Sequence, residues 1–212
     1  MSLLIADHDG IRRITLNRPE KRNALDTATI AALIAALSAA AGEDAVRAVV
    51  IAGNGVLFSA GGDLAEMRAP STPEQKAARG GAMRLLFTLP ATLRLPVIAA
   101  VQGGAVGAGA ALAMGCDAVV MADDAWFAWP EAKHRILPYL VGPPLAARVP
   151  RGVAFDLLAT GRKLPAAEAQ TLGLVARVVP AAMLEAEALR LAEEAASMPP
   201  EMMLAVKRMI TP

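Results

Sequence analysis

The stretch at residues 95–117, LPVIAAVQGGAVGAGAALAMGCD, constrains this chain more than any other. No charged residue stands between Arg94 and Asp117. Its first part, residues 96–101, is a short apolar run carrying Val and Ile, which suits a strand buried on both faces. Gly103, Gly104, Gly107 and Gly109 then crowd into seven positions. The Ala-rich residues 108–114 suit a helix, because Ala has the best helix propensity. The stretch therefore reads as buried strand, glycine turn and buried helix. A helix that starts just after glycines offers unpaired backbone N–H groups and a partial positive charge. Residues 107–109 are accordingly the first candidate functional centre.

Two other readings compete for the same stretch. Twenty-two uncharged residues are long enough to cross a bilayer, and Gly103 with Gly107 makes a GxxxG pair. Pro96, Gln102 and four glycines interrupt the run, however. The chain shows no second apolar span and no signal-peptide pattern, so the expectation is a cytoplasmic protein without membrane attachment. A dinucleotide-binding turn fails on spacing, because the sixth position after Gly107-x-Gly109 is Leu112 rather than glycine.

Length and composition narrow the function classes. At 212 residues the chain makes one large domain, or a domain with a small appendage. Hydrophobic residues at 55% with only 3% aromatics imply a core of Ala, Leu and Val with closely packed backbones. A net charge of +1 gives no electrostatic reason to bind nucleic acid. The lone cysteine, Cys116, excludes an intramolecular disulfide and reads as a buried small hydrophobe. His8 and His134 are too few and too far apart for a His-rich metal site, and no G-x-S-x-G elbow occurs.

In chain order, residues 3–6 and 11–16 form apolar runs joined by Asp9-Gly10, a hairpin signal. Residues 17–23 (NRPEKRN) make a basic, turn-rich loop. Asp26 or Thr27 caps a helix to about Ala41, which Gly42 closes. Residues 46–52 are a second buried strand, and Asp63 is placed to cap a short helix over residues 64–67. Residues 69–76 read as a mobile surface segment, followed by helix over 74–89 that breaks or kinks near Pro90. Strands are expected at 117–122, 125–128 and 174–179, with helices at 153–159, 165–172 and 183–197. Strands alternating with helices argue for an α/β or mixed fold with parallel pairing. Residues 1–195 read as the core domain. Residues 196–212 begin a C-terminal amphipathic segment with Met203, Val206 and Ile210 on one face. That face needs either a missing tail or a partner subunit to cover it.

Three loops directly after strands carry the chemistry: Phe58-Ser59-Ala60-Gly61-Gly62-Asp63, residues 103–109, and Trp129-Pro130-Glu131. The first two are small-residue turns entering helices, able to present N–H groups to one point. Two such donors converging on one oxygen form an oxyanion hole, worth roughly 3–4 kcal/mol per donor in acyl chemistry. The third brings a carboxylate beside a Trp and a Pro, surroundings that raise its pKa toward acid/base use.

LNRPEKRNAL, FSAGGDL, the central stretch, the WPE segment and ATGRKLPAAEAQTLGLVARVVP, in this order, resemble the crotonase (enoyl-CoA hydratase/isomerase) superfamily. The resemblance covers nearly the whole chain. It implies an α/β spiral of ββα repeats with helices packed around it, and a homotrimer or dimer of trimers. The substrate it implies is an acyl-CoA thioester, with no separate cofactor because coenzyme A is part of that substrate. By position, the N–H groups of Ala60 and Ala108 would hold the thioester oxygen and Glu131 would be the acid/base. Coenzyme A would lie along Lys21, Arg22 and Ala24 and along Ser59, Gly61, Gly62, Asp63 and Leu64, with Gly107 and Tyr139 completing the pocket. No metal is implied. Asp63 and Asp117 match family positions but read as a helix cap and a buried hydrogen-bonded carboxylate.

Departures from the family pattern bear on the reaction. The hydratases carry two glutamates, and the position of the first holds Ala111, which cannot move a proton. Arg135 and Tyr139 stand where glycines are expected. His134 and Tyr139 read either as substitute acid/base groups or as an ordinary surface histidine and a packing tyrosine. A single carboxylate suits proton transfer between C2 and C4, the isomerase pattern. A true hydratase and a non-catalytic acyl-CoA binder are the alternatives.

Overall fold

The Asp9-Gly10 signal forms its hairpin in a computed structural model that describes residues 1–210. Strand β1 (Leu3–His8) pairs antiparallel with β2 (Ile11–Leu16), Leu3 facing Leu16. Helix α1 (Thr27–Gly42) follows. Its cap is Asp26, whose side chain accepts the Thr29 N–H. Gly42 is the last helical residue rather than a left-handed cap. Strand β3 (Ala48–Gly53) runs parallel to β2, with Ile14 opposite Ile51.

Helices α2 (Leu64–Arg68) and α3 (Pro73–Thr92) come next. The expected mobile segment at 69–76 is partly helix, because Thr72 and Gln75 form a reciprocal capping box that starts α3 at Pro73. Pro90 lies inside α3 near its end, and the helix continues through it to Thr92.

The central stretch gives β4 (Val97–Val101), β5 (Gly104–Val106) and α4 (Ala108–Gly115). All five residues of β4 are buried, as a strand covered on both faces requires. β6 (Ala118–Ala122) and β7 (Trp126–Ala128) follow, then α5 (Gly142–Ala146) and α6 (Arg151–Thr160). β8 (Lys163–Pro165), α7 (Ala166–Thr171), β9 (Arg177–Val179), α8 (Leu184–Ala196) and α9 (Pro200–Ile210) complete the order.

The larger sheet runs β1-β2-β3-β4-β6-β9, parallel after the first hairpin. A small second sheet, β5-β7-β8, stands apart from it. Consecutive strands thus divide between sheets, β4 to the large and β5 to the small, before each chain segment turns into a helix. This is the ββα repeat. Helix α8 packs across β3, β4 and β6 through Leu184, Ala188 and Ala192, while α4 packs on β4 and β6. No helix among the described residues is long and apolar enough to cross a membrane. The 22-residue uncharged run is divided between two strands and a helix, so its apolarity serves burial instead.

Helix α9 docks differently from the expected apolar face. Met203 is buried, but Val206 and Ile210 are exposed, and Lys207 is buried beside Met203 on the same helical side. The Lys207 ammonium donates to Pro90 O at 2.8 Å and Leu95 O at 2.7 Å, and meets Asp117 Oδ2 at 2.5 Å. Asp117 also accepts the Val97 N–H at 2.7 Å. The lysine thereby ties α9 to the end of α3, the entry of β4 and the exit of α4. Burial raises the Asp117 carboxyl and lowers the Lys207 ammonium, each against the pull of the other. Residues 211–212 of the expected terminal segment lie outside the described residues.

Replacing Lys207 leaves the buried Asp117 carboxylate without its counter-ion. Lys207→Met is expected to lower the unfolding free energy by about 3 kcal/mol. Lys207→Met with Asp117→Asn, which keeps an acceptor for Val97, should recover most of that loss. Denaturant unfolding of the two variants checks it; additive losses would contradict the coupling.

Candidate active site

The two small-residue turns are stitched together by backbone hydrogen bonds. Ser59 N donates to Gly104 O at 3.3 Å and Val106 N to Ser59 O at 3.0 Å, making a parallel bridge between Ser59 and Ala105. Gly61 has φ +88°, and a Cβ there would stand 2.5 Å from Val106 O. Only glycine allows both the left-handed conformation and that approach. The same point is 3.4 Å from Ala108 N, so the first turn ends against the start of α4.

Which N–H groups remain available follows from the local pairing. Ala60 N donates to Arg22 O at 2.9 Å, so the expected Ala60 donor is already occupied. Leu25 N donates to Gly61 O and Asp63 N to Leu25 O, a parallel bridge between Leu25 and Gly62. In such a bridge the residue between the bonded groups directs its own N–H to the other side. Gly62 therefore points its N–H away from Leu25, toward the cavity that Gly62 lines. Ala108 is the first residue of α4 and has no carbonyl one turn back to accept its N–H. Among the described residues neither of these N–H groups bonds another backbone carbonyl. The sequence offered a signal for Gly62, the second glycine of the turn, but not the pairing that selects it.

Glu131 arrives from a third direction. It sits on a single 3₁₀ turn, Pro130–His134, whose end is fixed by Arg135 in the left-handed conformation. Ile136 N donates to Glu131 O at 3.0 Å, and Lys133 Nζ holds Gly161 O at 3.0 Å. Gly107 has φ +49°, and a Cβ on it would stand 2.1 Å from Glu131 Oε1. The carboxyl thus packs against the backbone where α4 begins. Its Oε2 is buried without a hydrogen-bond partner among the described residues, as is Trp129 Nε1 beside it. Burial holds the Glu131 carboxyl above the usual carboxylate range, against a smaller opposing pull from its own backbone N–H.

A cavity of about 290 Å³ joins these groups. Ala60, Gly61, Gly62, Leu64, Gly107, Ala108, Glu131 and Tyr139 all line it. Ser59 does not: it is fully buried, its hydroxyl donating to Asn23 O at 2.8 Å and accepting the Gly61 N–H at 3.1 Å. It is a stitch within the turn rather than a ligand contact. Asp63 is likewise structural, capping α2 through the Ala65 and Glu66 N–H groups and pairing with Arg18. The Arg18 guanidinium and those N–H groups outweigh burial and hold the Asp63 carboxyl below its ordinary value. Lys21, Arg22 and Ala24 flank the Ala60 turn without lining the cavity.

His134 and Tyr139 are exposed side chains at the cavity rim, Tyr139 with its hydroxyl facing Gly80 of α3. Ala111 is buried inside α4 and lines no part of the cavity. The Cys116 thiol is buried, and burial pushes its pKa well up, so it is no nucleophile. Among the described residues no group of three His, Cys, Asp or Glu could hold a metal. Arg18 and Asn23 were not singled out by sequence. Arg18 bonds Ala24 O and pairs with Asp26 and Asp63, while the buried Asn23 amide bonds Asn54 O and Leu57 O. Together they shape the turn that Ala60 leans on.

A carboxyl whose pKa is raised in the folded chain binds more protons there than in the unfolded chain. Stability therefore falls as pH rises through the window between the unfolded and the higher folded pKa. Glu131→Gln is expected to be more stable than the parent at pH 7 and equally stable below both values, as read by thermal unfolding across pH. Gly107→Ala should lower stability by about 1–3 kcal/mol through its backbone conformation, and displace the carboxyl as well.

Comparison with known proteins identifies the family. The family model described as enoyl-CoA hydratase/isomerase matches residues 6–211. A probable enoyl-CoA hydratase of Rhizobium meliloti (strain 1021) is 40% identical over 199 residues, covering 92% of this chain and 76% of its own. A putative enoyl-CoA hydratase of Thermus thermophilus is 38% identical over 199 residues, covering 93% and 79%. The crystal structure of an enoyl-CoA hydratase of Mycobacterium smegmatis superposes with a TM-score of 0.93 at 36% identity, covering 98% of this chain and 81% of that one. Family model, relatives and superposed structure agree: the chain belongs to the enoyl-CoA hydratase/isomerase family of enzymes and has the crotonase fold.

Proposed function

We propose that the chain moves a proton within an enoyl-CoA thioester, shifting the double bond between C3–C4 and C2–C3. The N–H groups of Gly62 and Ala108 would hold the thioester oxygen, replacing the pairing of Ala60 with Ala108 expected from position. The Glu131 carboxylate removes a proton from C2. The C2–H electron pair becomes the enolate, whose negative oxygen rests on the Gly62 N–H and on the Ala108 N–H at the start of α4. Collapse of the enolate moves the double bond, and the protonated Glu131 returns its proton at C4. Nothing is added to or lost from the substrate.

The observation that carries this reading is the lone buried carboxyl with an unpartnered oxygen facing a shared cavity, while Ala111 occupies the position of the family's other glutamate. Hydration needs water held for attack at C3, and two carboxylates do that in the family pattern. Proton transfer needs one base that works twice. Lys21 and Arg22 are exposed beside the Ala60 turn and would meet the phosphates of coenzyme A. The trimeric assembly and cytoplasmic location remain proposals on the same family grounds.

Glu131→Gln should reduce double-bond migration in a 3-enoyl-CoA by about 10²- to 10⁴-fold. Loss of C2 deuterium exchange in heavy water should accompany it. Rapid hydration of crotonyl-CoA that Glu131→Gln leaves unchanged would overturn the single-base mechanism. The parent activity should also fall as pH drops through the raised Glu131 pKa, since only the ionised carboxylate can take the C2 proton.

A further inference from the structure

The cavity wall opposite the two turns is built by α3, which contributes Lys76, Arg79, Gly80 and Met83. These positions fall on one side of a helix. Two of them are cations, Arg79 and the exposed Lys76, on a wall that also carries Leu64, Glu66, Met67 and Met83. Arg79 is half-buried, and its guanidinium makes one long hydrogen bond, Nη1 to Glu66 O at 3.4 Å. The Glu66 carboxylate also lies at the cavity, but it accepts the Thr27 N–H at 2.9 Å and serves the first turn of α1. No carboxylate among the described residues pairs with Arg79. A guanidinium carries five N–H donors in a fork that matches a carboxylate. Half-buried at the cavity with one weak acceptor, its fork has donors left over for an anion.

Which anion follows from size. A cavity of about 290 Å³ holds an acyl group but not the nucleotide of coenzyme A with it. The cations suited to the nucleotide, Lys21 and Arg22, lie outside that cavity, whereas Lys76 and Arg79 line it. We propose that the acyl chain of the substrate carries a second carboxylate at its far end, bound by Arg79 with Lys76 beside it. This rests on the acyl-CoA reading above and deepens it to a substrate class, the CoA thioesters of dicarboxylic acids.

Binding separates this from the chemistry. Titration calorimetry would compare two saturated six-carbon thioesters, hexanoyl-CoA and adipyl-CoA, on the parent chain and on Arg79→Met. Adipyl-CoA should bind the parent about tenfold tighter than hexanoyl-CoA. Arg79→Met should bring the two within about twofold, and Arg79→Lys should restore only part of the preference, because an ammonium lacks the fork. Equal affinities on the parent, or an unchanged ratio in Arg79→Met, would overturn the proposal alone. An equal loss for both esters and for free coenzyme A would assign Arg79 to the coenzyme phosphates and overturn it too. Failure of both esters to bind the folded parent chain would remove the acyl-CoA reading itself, and the proposal with it.

Discussion

The site depends on how closely two backbone turns approach each other. The turn at residues 58–63 and the one at 103–109 share a bridge at Ser59 and Ala105, and Gly61 lies where any side chain would strike Val106 O. Backbones this close leave no volume for large side chains between them. That explains why the central helix is built mostly from Ala and Gly. The approach has a chemical consequence. It brings the unpaired N–H at the start of α4 to the turn that carries Gly62, and no side chain intervenes.

The same packing acts on the carboxyl with the opposite sign. Backbone N–H groups gain strength as anion donors when water is excluded, because the effective dielectric falls. A carboxylate in that environment loses its own hydration and is raised in pKa unless something compensates. At Glu131 little does: one oxygen packs on Gly107 and the other has no partner among the described residues. The fold thus accepts a destabilised group at the spot where a proton must change hands. Elsewhere it satisfies its buried charges, as at Lys207 with two carbonyls and Asp117.

Much of this was legible in residue order. The uncharged stretch gave strand, turn and helix because burial on all sides leaves a signal no exposed element imitates. Asp63 read as a cap, and capping is local. Harder to read were features decided across the fold. The three-residue strands β5 and β8 are too short to show periodicity and exist only through pairing with β7. Ala60 and Gly62 lie on opposite sides of one turn, and only the bonds to Arg22 and Leu25 decide which N–H is left over. Lys207 looks like a solvent residue on an amphipathic helix until the carbonyls of Pro90 and Leu95 are placed next to it. Ser59, a plausible ligand contact by position, is consumed by the turn it helps to fold.

The interior of α4 limits what chemistry the site can host. Ala111 is buried, its N–H bonded to Gly107 O at 2.9 Å, and its methyl group lines no part of the cavity. The helix is closed over at that position, so the deficit is not simply a shorter side chain facing the same space. A site with one carboxylate must also keep the proton it has taken until the enolate is ready to accept it elsewhere. Exchange with solvent would interrupt that transfer without stopping it, whereas a competing acid would divert it. His134 and Tyr139, side chains that could compete, stand exposed at the rim, while the carboxyl itself packs on Gly107 with its other oxygen buried. Enclosure at the base and openness at the rim together suit a proton that leaves and returns through one residue.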